Sequence, residues 1–229
     1  MIQWVWSNLP ILGYIIVVIC FCFFMYLVSL WLHLDWKMLL RGTAKGSSDI
    51  PYVTVFLLVI NFLVFALTAE RQSLLETYGL RVNSLQAGSY WQILTPVFLH
   101  FDAVHLFMNE YGLFVLGMPV ERVYGAAKTL YLYVVSGIVG NVASYFILPG
   151  YVLTLGASGA VFGLMGAEIG MTIVEKTRPA GRSAGAAIIY AVMTFVRSMG
   201  PQINVVAHLF GLCFGLAAGY TLARYSRDT

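Results

Sequence analysis

Charge is scarce in this sequence. Asp, Glu, Lys and Arg make up 10% of its 229 residues, against 60% hydrophobic side chains and a mean hydropathy of +0.83. So few charges cannot cover the surface of a water-soluble domain, and no polar stretch is long enough to form a separate one. A surplus of one sign is missing too. The formal net charge of +3 excludes an electrostatic nucleic-acid partner, and a basic surplus of that size fits the loop bias of a membrane chain. Cysteine is equally sparse: Cys20, Cys22 and Cys213 all sit inside apolar runs without ligand-like spacing to a histidine. That pattern excludes a disulfide framework or a cysteine-based zinc site, and the three read as packing residues. Met1 to Asn8 holds no Lys or Arg, and no small-residue cleavage site follows Leu32, so the first apolar run reads as a retained helix.

What the chain has is apolar runs of membrane length. A hydrocarbon core of about 30 Å takes about 20 residues per helix. Seven spans are expected: Pro10 to Leu32, Val53 to Thr68, Phe98 to Met118, Thr129 to Leu148, Ser158 to Val174, Ala184 to Val196 and Val205 to Ala223. The fifth and sixth are short, as helices are when others shield their ends. The expected fold is all-α, a polytopic transmembrane bundle. Ten Lys and Arg residues (Lys37, Arg41, Lys45, Arg122, Lys128, Lys176, Arg178, Arg182, Arg224, Arg227) follow the odd-numbered spans, and three (Arg71, Arg81, Arg197) follow the even ones. By the positive-inside rule the N-terminus is outside and the C-terminus cytoplasmic. The longest linker, Glu70 to Pro96, mixes charges with Leu74, Leu75, Tyr78, Tyr90 and Trp91, and reads as an outer loop lying partly in the interface.

Polar side chains within spans are costly, and each is a functional candidate. Asn61 and Asn141 stand alone on their helices and read as interhelical hydrogen-bonding residues. His100 and Asp102 are near enough to the outer end of the third span to be wet. Glu110 and Glu168 read as carboxyl groups hydrogen-bonded to neighbouring helices. The rest converge by height. Glu175 back to Ser158 is 17 residues, and Arg224 back to His208 and Glu121 back to His105 are 16 each. At a rise of about 1.5 Å per residue, the three groups share a level about 24 to 26 Å above the cytoplasmic edge, close to the outer surface. Asn109 is one turn below His105 on the same face.

Gly159, Gly163, Gly166 and Gly170 on the fifth span, and Gly211, Gly215 and Gly219 on the seventh, form two smooth faces. Backbones can approach closely there, which brings His208 within hydrogen-bonding reach of Ser158. A serine hydroxyl needs a neutral imidazole to take its proton, and the same imidazole can protonate the leaving amine. The Ser158 N–H at a helix start, with His105 and Asn109, offers donors for an oxyanion. Lacking an obvious carboxylate, the pair reads as a dyad.

His100-x4-His105-x3-Asn109, Glu121-Arg122, Gly156-Ala157-Ser158-Gly159 and Ala207-His208-x2-Gly211-x3-Gly215 together resemble the rhomboid proteases in order and spacing, over about Pro51 to Tyr225. The resemblance implies a six-helix core over residues 51–229, preceded by an extra transmembrane helix and cytoplasmic linker in 1–50. It implies Ser158 as nucleophile, His208 as its partner, and His105 and Asn109 at the oxyanion. It implies cleavage of single-span or multi-span membrane-protein substrates amid membrane lipid, with no cofactor and no metal. Two positions differ from the family pattern: Trp91-Gln92 replaces a Trp-Arg pair often found in the outer loop, and Phe162 stands where some members stack a Tyr on the histidine. A catalytically silent, client-binding relative is the alternative reading; a transporter using the same histidines is a third, for which Asn109 is a poor ligand. The compact loops suggest a bacterial plasma membrane.

Overall fold

The computed structural model describes residues 51–150, 152–175 and 204–228. Among these the regular elements are helices, with seven α-helices: α1 (Tyr52–Thr68), α2 (Gln72–Tyr78), α3 (Val82–Gln86), α4 (Ala103–Tyr124), α5 (Ala126–Ile147), α6 (Ser158–Glu175) and α7 (Val205–Asp228). Long helices therefore occupy the second, third, fourth, fifth and seventh expected spans. The first and sixth, with Cys20 and Cys22, lie outside the described residues. Ala126–Ile147 and Val205–Tyr225 are long and apolar enough to cross a bilayer; Tyr52–Thr68 and Ser158–Val174 are apolar but shorter.

The bundle is built around α6, whose Ala160, Val161, Leu164, Ala167 and Met171 are fully buried against α4, α5 and α7. Polarity runs inward. On α1 the buried stripe is Thr54, Leu57, Asn61, Phe65 and Thr68, at helical spacing, while Phe56, Val59, Leu63 and Leu67 face out at half exposure or more. Asn61 Nδ2 donates to Glu110 Oε1 of α4 at 2.9 Å and to Tyr133 OH of α5 at 3.2 Å, so one amide ties three helices and gives Glu110 the neighbour expected of it. Asn141 instead donates to a carbonyl of the outer linker, Ile93 O, at 2.9 Å.

Several expectations need correction. The third span begins at Ala103, because Asp102 caps it by accepting from the His105 N–H at 2.7 Å. Helices α4 and α5 are joined by Gly125 alone, whose φ of +81° suits glycine and ends α4. Glu121 and Arg122 therefore belong to the last turn of α4, and both are buried. Glu121 Oε1 accepts from Val53 N at 2.9 Å, and Oε2 from Thr54 N and Thr54 Oγ1 at 2.7 Å each, which places a carboxylate on the orphan N–H groups that start α1. Cys213 is exposed on α7 rather than packed inside.

The outer linker is more ordered than a plain loop. It folds into α2, α3 and two 3-10 turns, Tyr90–Ile93 and Thr95–Phe98, over buried Leu75, Leu80 and Leu85, while Tyr90 and Trp91 project outward. Gln92 is buried; its Nε2 donates to Thr77 O at 2.9 Å, and its Oε1 accepts from Arg81 N at 3.2 Å. Leu80 and Thr154 exchange two backbone hydrogen bonds of 2.9 Å, and Gly156 N donates to Pro96 O at 2.8 Å. This linker thus holds the segment that leads into α6.

Candidate active site

Ser158 is the first residue of α6, and its N–H is among those without an intrahelical partner. Two residues earlier Gly156 has φ +129°, a conformation that L side chains rarely adopt, and a Cβ there would meet His105 Cε1 at 2.6 Å and Nε2 at 2.8 Å. Glycine is required on both counts. The absent side chain lets the His105 imidazole lie over the turn that leads into Ser158.

His208 is buried one turn into α7. Its Nε2 is 2.7 Å from Ser158 Oγ. With the proton on Nδ1, Nε2 accepts from the hydroxyl. Phe162, one turn after Ser158 on the same face, stacks on the imidazole at 4.5 Å between centroids and 14° between planes. The aromatic partner at this position is therefore kept without a hydroxyl.

The short reach between Ser158 and His208 follows from the glycine faces, which meet as the sequence suggests. Side chains on Gly166, Gly211, Gly215 or Gly219 would collide with backbone atoms of the facing helix, one on Gly170 would meet Leu216 O and Tyr220 N at 2.5 Å, and one on Gly163 would collide with the Ser136 side chain of α5. At the far end Tyr124 OH donates to Gly219 O at 2.8 Å, so α4 holds the seam from the side.

His105 has Phe101 stacked on it at 6.1 Å and His100 edge-on at 5.2 Å. His100 is fully buried, against the expectation that it is wet, because it precedes α4 in a segment folded beneath the outer linker. Asn109 is buried one turn deeper, and its Nδ2 donates to His105 O at 2.9 Å. The structure thus brings Ser158, His208 and His105 together, and sets Asn109 behind them on the His105 helix. Glu168 lies on α6 well away from this layer, half-buried, its carbonyl accepting from Thr172 Oγ1 at 2.9 Å.

Sequence reading missed Asn204. Its Oδ1 accepts from Ala207 N at 2.9 Å, capping α7 one turn before His208, and its Nδ2 reaches Ser144 Oγ at 2.7 Å and Thr154 Oγ1 at 3.2 Å. An Asn directly before an apolar run is an N-cap signal that would have found it.

The Rhomboid domain family model matches residues 87–225. The chain is 35% identical over 181 residues to YdcA of Bacillus subtilis (strain 168), a candidate rhomboid protease, covering 74% of this chain and 87% of that one. It is 30% identical over 176 residues to the rhomboid protease GluP of the same organism, with 76% of this chain and 31% of GluP covered. It is 30% identical over 151 residues to rhomboid-like protease 2 of Toxoplasma gondii, with 65% and 53% covered. The chain therefore spans most of YdcA but about half or less of the other two.

Proposed function

The chain belongs to the rhomboid family, and we propose that it is an intramembrane serine endopeptidase acting through a Ser158–His208 dyad. The observation that carries this reading is the 2.7 Å contact between Ser158 Oγ and His208 Nε2. Ser158 Oγ attacks the carbonyl carbon of the scissile peptide while its proton passes to Nε2. The carbonyl oxygen becomes an oxyanion, received by the Ser158 N–H at the positive end of α6 and by the His105 and Asn109 side chains. His208 then protonates the leaving amine, and the C–N bond breaks. A water enters, gives its proton to His208 and its oxygen to the acyl carbon, and Ser158 leaves with that proton restored. Phe162 holds the imidazole plane through the cycle.

The substrates are single-span or multi-span membrane proteins, cut near the outer surface where water reaches the dyad. The protein is a multi-pass membrane protein of a bacterial plasma membrane, with a six-helix core in 51–229 and an extra helix in 1–50, N-terminus outside and C-terminus cytoplasmic. Apolar side chains on outward faces, such as Phe56, Leu67 and Phe146 at 59%, 61% and 78% exposure, support a lipid surround. The segregation of Lys and Arg supports the orientation.

The test is cleavage of a single-span substrate carrying small and helix-breaking residues near its outer boundary, by purified parent, Ser158→Ala and His208→Ala. The parent alone cuts, and it alone labels with a serine-reactive fluorophosphonate. A folded parent that neither cuts several such substrates nor labels is instead a silent client-binding relative.

A further inference from the structure

Ser158 and His208 each follow a polar side chain by four residues, Thr154 and Asn204 respectively. Those two side chains touch: Asn204 Nδ2 donates to Thr154 Oγ1 at 3.2 Å. The same NH2 group donates to Ser144 Oγ on α5 at 2.7 Å, and Ser144 can accept because its own hydrogen goes to Gly140 O at 2.7 Å. The amide orientation is fixed, since the Ala207 N–H can only donate and must meet Oδ1, at 2.9 Å. One acceptor and two donors are thus all engaged. Thr154 is in turn paired through its backbone with Leu80 of the outer linker.

We propose that Asn204 is a positioning residue that sets the register between the nucleophile segment and the histidine helix, a role that rests on the serine-protease reading of the same site. The need for it comes from the glycine seam. Two faces without side chains pack closely but carry no knobs to stop one helix sliding along the other. Tyr124 holds that seam at its inner end, and the Asn204–Thr154–Ser144 node holds it at the outer end, one turn from the dyad. A proton transfer at 2.7 Å has little tolerance for sliding, and a shift of about 1 Å in a catalytic group lowers rates about a hundredfold.

The experiment uses the full chain with two substitutions. Asn204→Ser keeps a competent N-cap but is too short to reach both Ser144 and Thr154. Thr154→Val keeps the volume, leaves the cap untouched and removes Oγ1. We expect each to lower kcat and the fluorophosphonate labelling rate by about ten- to a hundredfold with KM held within about twofold, at a near-parental unfolding midpoint. The double variant is expected to fall no further than the worse single one, because both remove one link. A parental kcat in Asn204→Ser reduces the residue to a helix cap and overturns the role, as does a double loss equal to the product of the single losses. Should Asn204→Ser fail to fold, Thr154→Val alone decides by the same readout. An inert parent overturns the protease reading, and this role with it, whereas an active parent with unaffected variants overturns only the positioning role.

Discussion

The α6–α7 junction and the α1–α4 junction are held by opposite means. The first brings backbones together through Gly163, Gly166, Gly211, Gly215 and Gly219, with Tyr124 OH on Gly219 O as a hydrogen bond at its flank. The second keeps its helices far enough apart for side chains, and fills the space with Glu121 on the start of α1 and with the Asn61–Glu110 contact that extends to Tyr133. The difference follows the task. Helices that must bring a serine hydroxyl to 2.7 Å from an imidazole leave no room for side chains between them, so dispersion between bare backbones holds the seam along its length and hydrogen bonds hold it at its ends. Helices that only support that pair can be fixed by polar groups, which the apolar surround makes expensive to leave unpaired.

The largest effect that would break this comparison is a side chain in the seam. In Gly215→Val the new Cβ meets the Gly163 carbonyl, which is backbone and cannot rotate away. The expected cost is about 3 kcal/mol, read as a lowered unfolding midpoint in detergent, together with loss of fluorophosphonate labelling from the material that remains folded. A variant that stays folded and labels at the parental rate would show that the seam has slack, and the contrast with α1–α4 would fail.

Next in size is Glu121→Ala, which strips three hydrogen bonds from the start of α1. A loss of about 2 kcal/mol in stability is expected, with cleavage per folded molecule near the parental value, since this junction supports the site from outside it. A fall in kcat without a fall in stability would place α1 in the catalytic geometry instead, and the two junctions would no longer divide scaffold from site.

The layer of Ser158, His208 and His105 is legible in the sequence because it depends on two things a linear reading measures well. Rise per residue put Ser158, His208 and His105 at one height, and the four-residue spacing of glycines on two spans announced a close crossing. The cap over the site was not legible. The pairing of Leu80 with Thr154, and of Gly156 with Pro96, joins segments that are distant in sequence through backbone groups that every residue has. Counting charges places Glu121 and Arg122 at a cytoplasmic boundary because it does not distinguish a side chain in water from one capping a neighbouring helix. The burial of His100 escapes the sequence for the same reason: proximity to a span end says nothing about what folds over it.

The smallest expected effect probes the ring that stacks on His208. Phe162 lies parallel to the imidazole at 4.5 Å, from the same helix face as Ser158. Phe162→Tyr keeps the ring area and the stacking and adds a hydroxyl, so its labelling rate and kcat should stay within about threefold of the parent. Phe162→Ala removes a stacking contact worth about 0.5–1.5 kcal/mol and frees the imidazole plane, so a loss of about threefold to tenfold is expected, concentrated in kcat. If Phe162→Ala matches the parent, the stack is packing and does not orient His208. If Phe162→Tyr loses more than Phe162→Ala, the added hydroxyl competes for a hydrogen bond in the site, and the position calls for an aromatic without one.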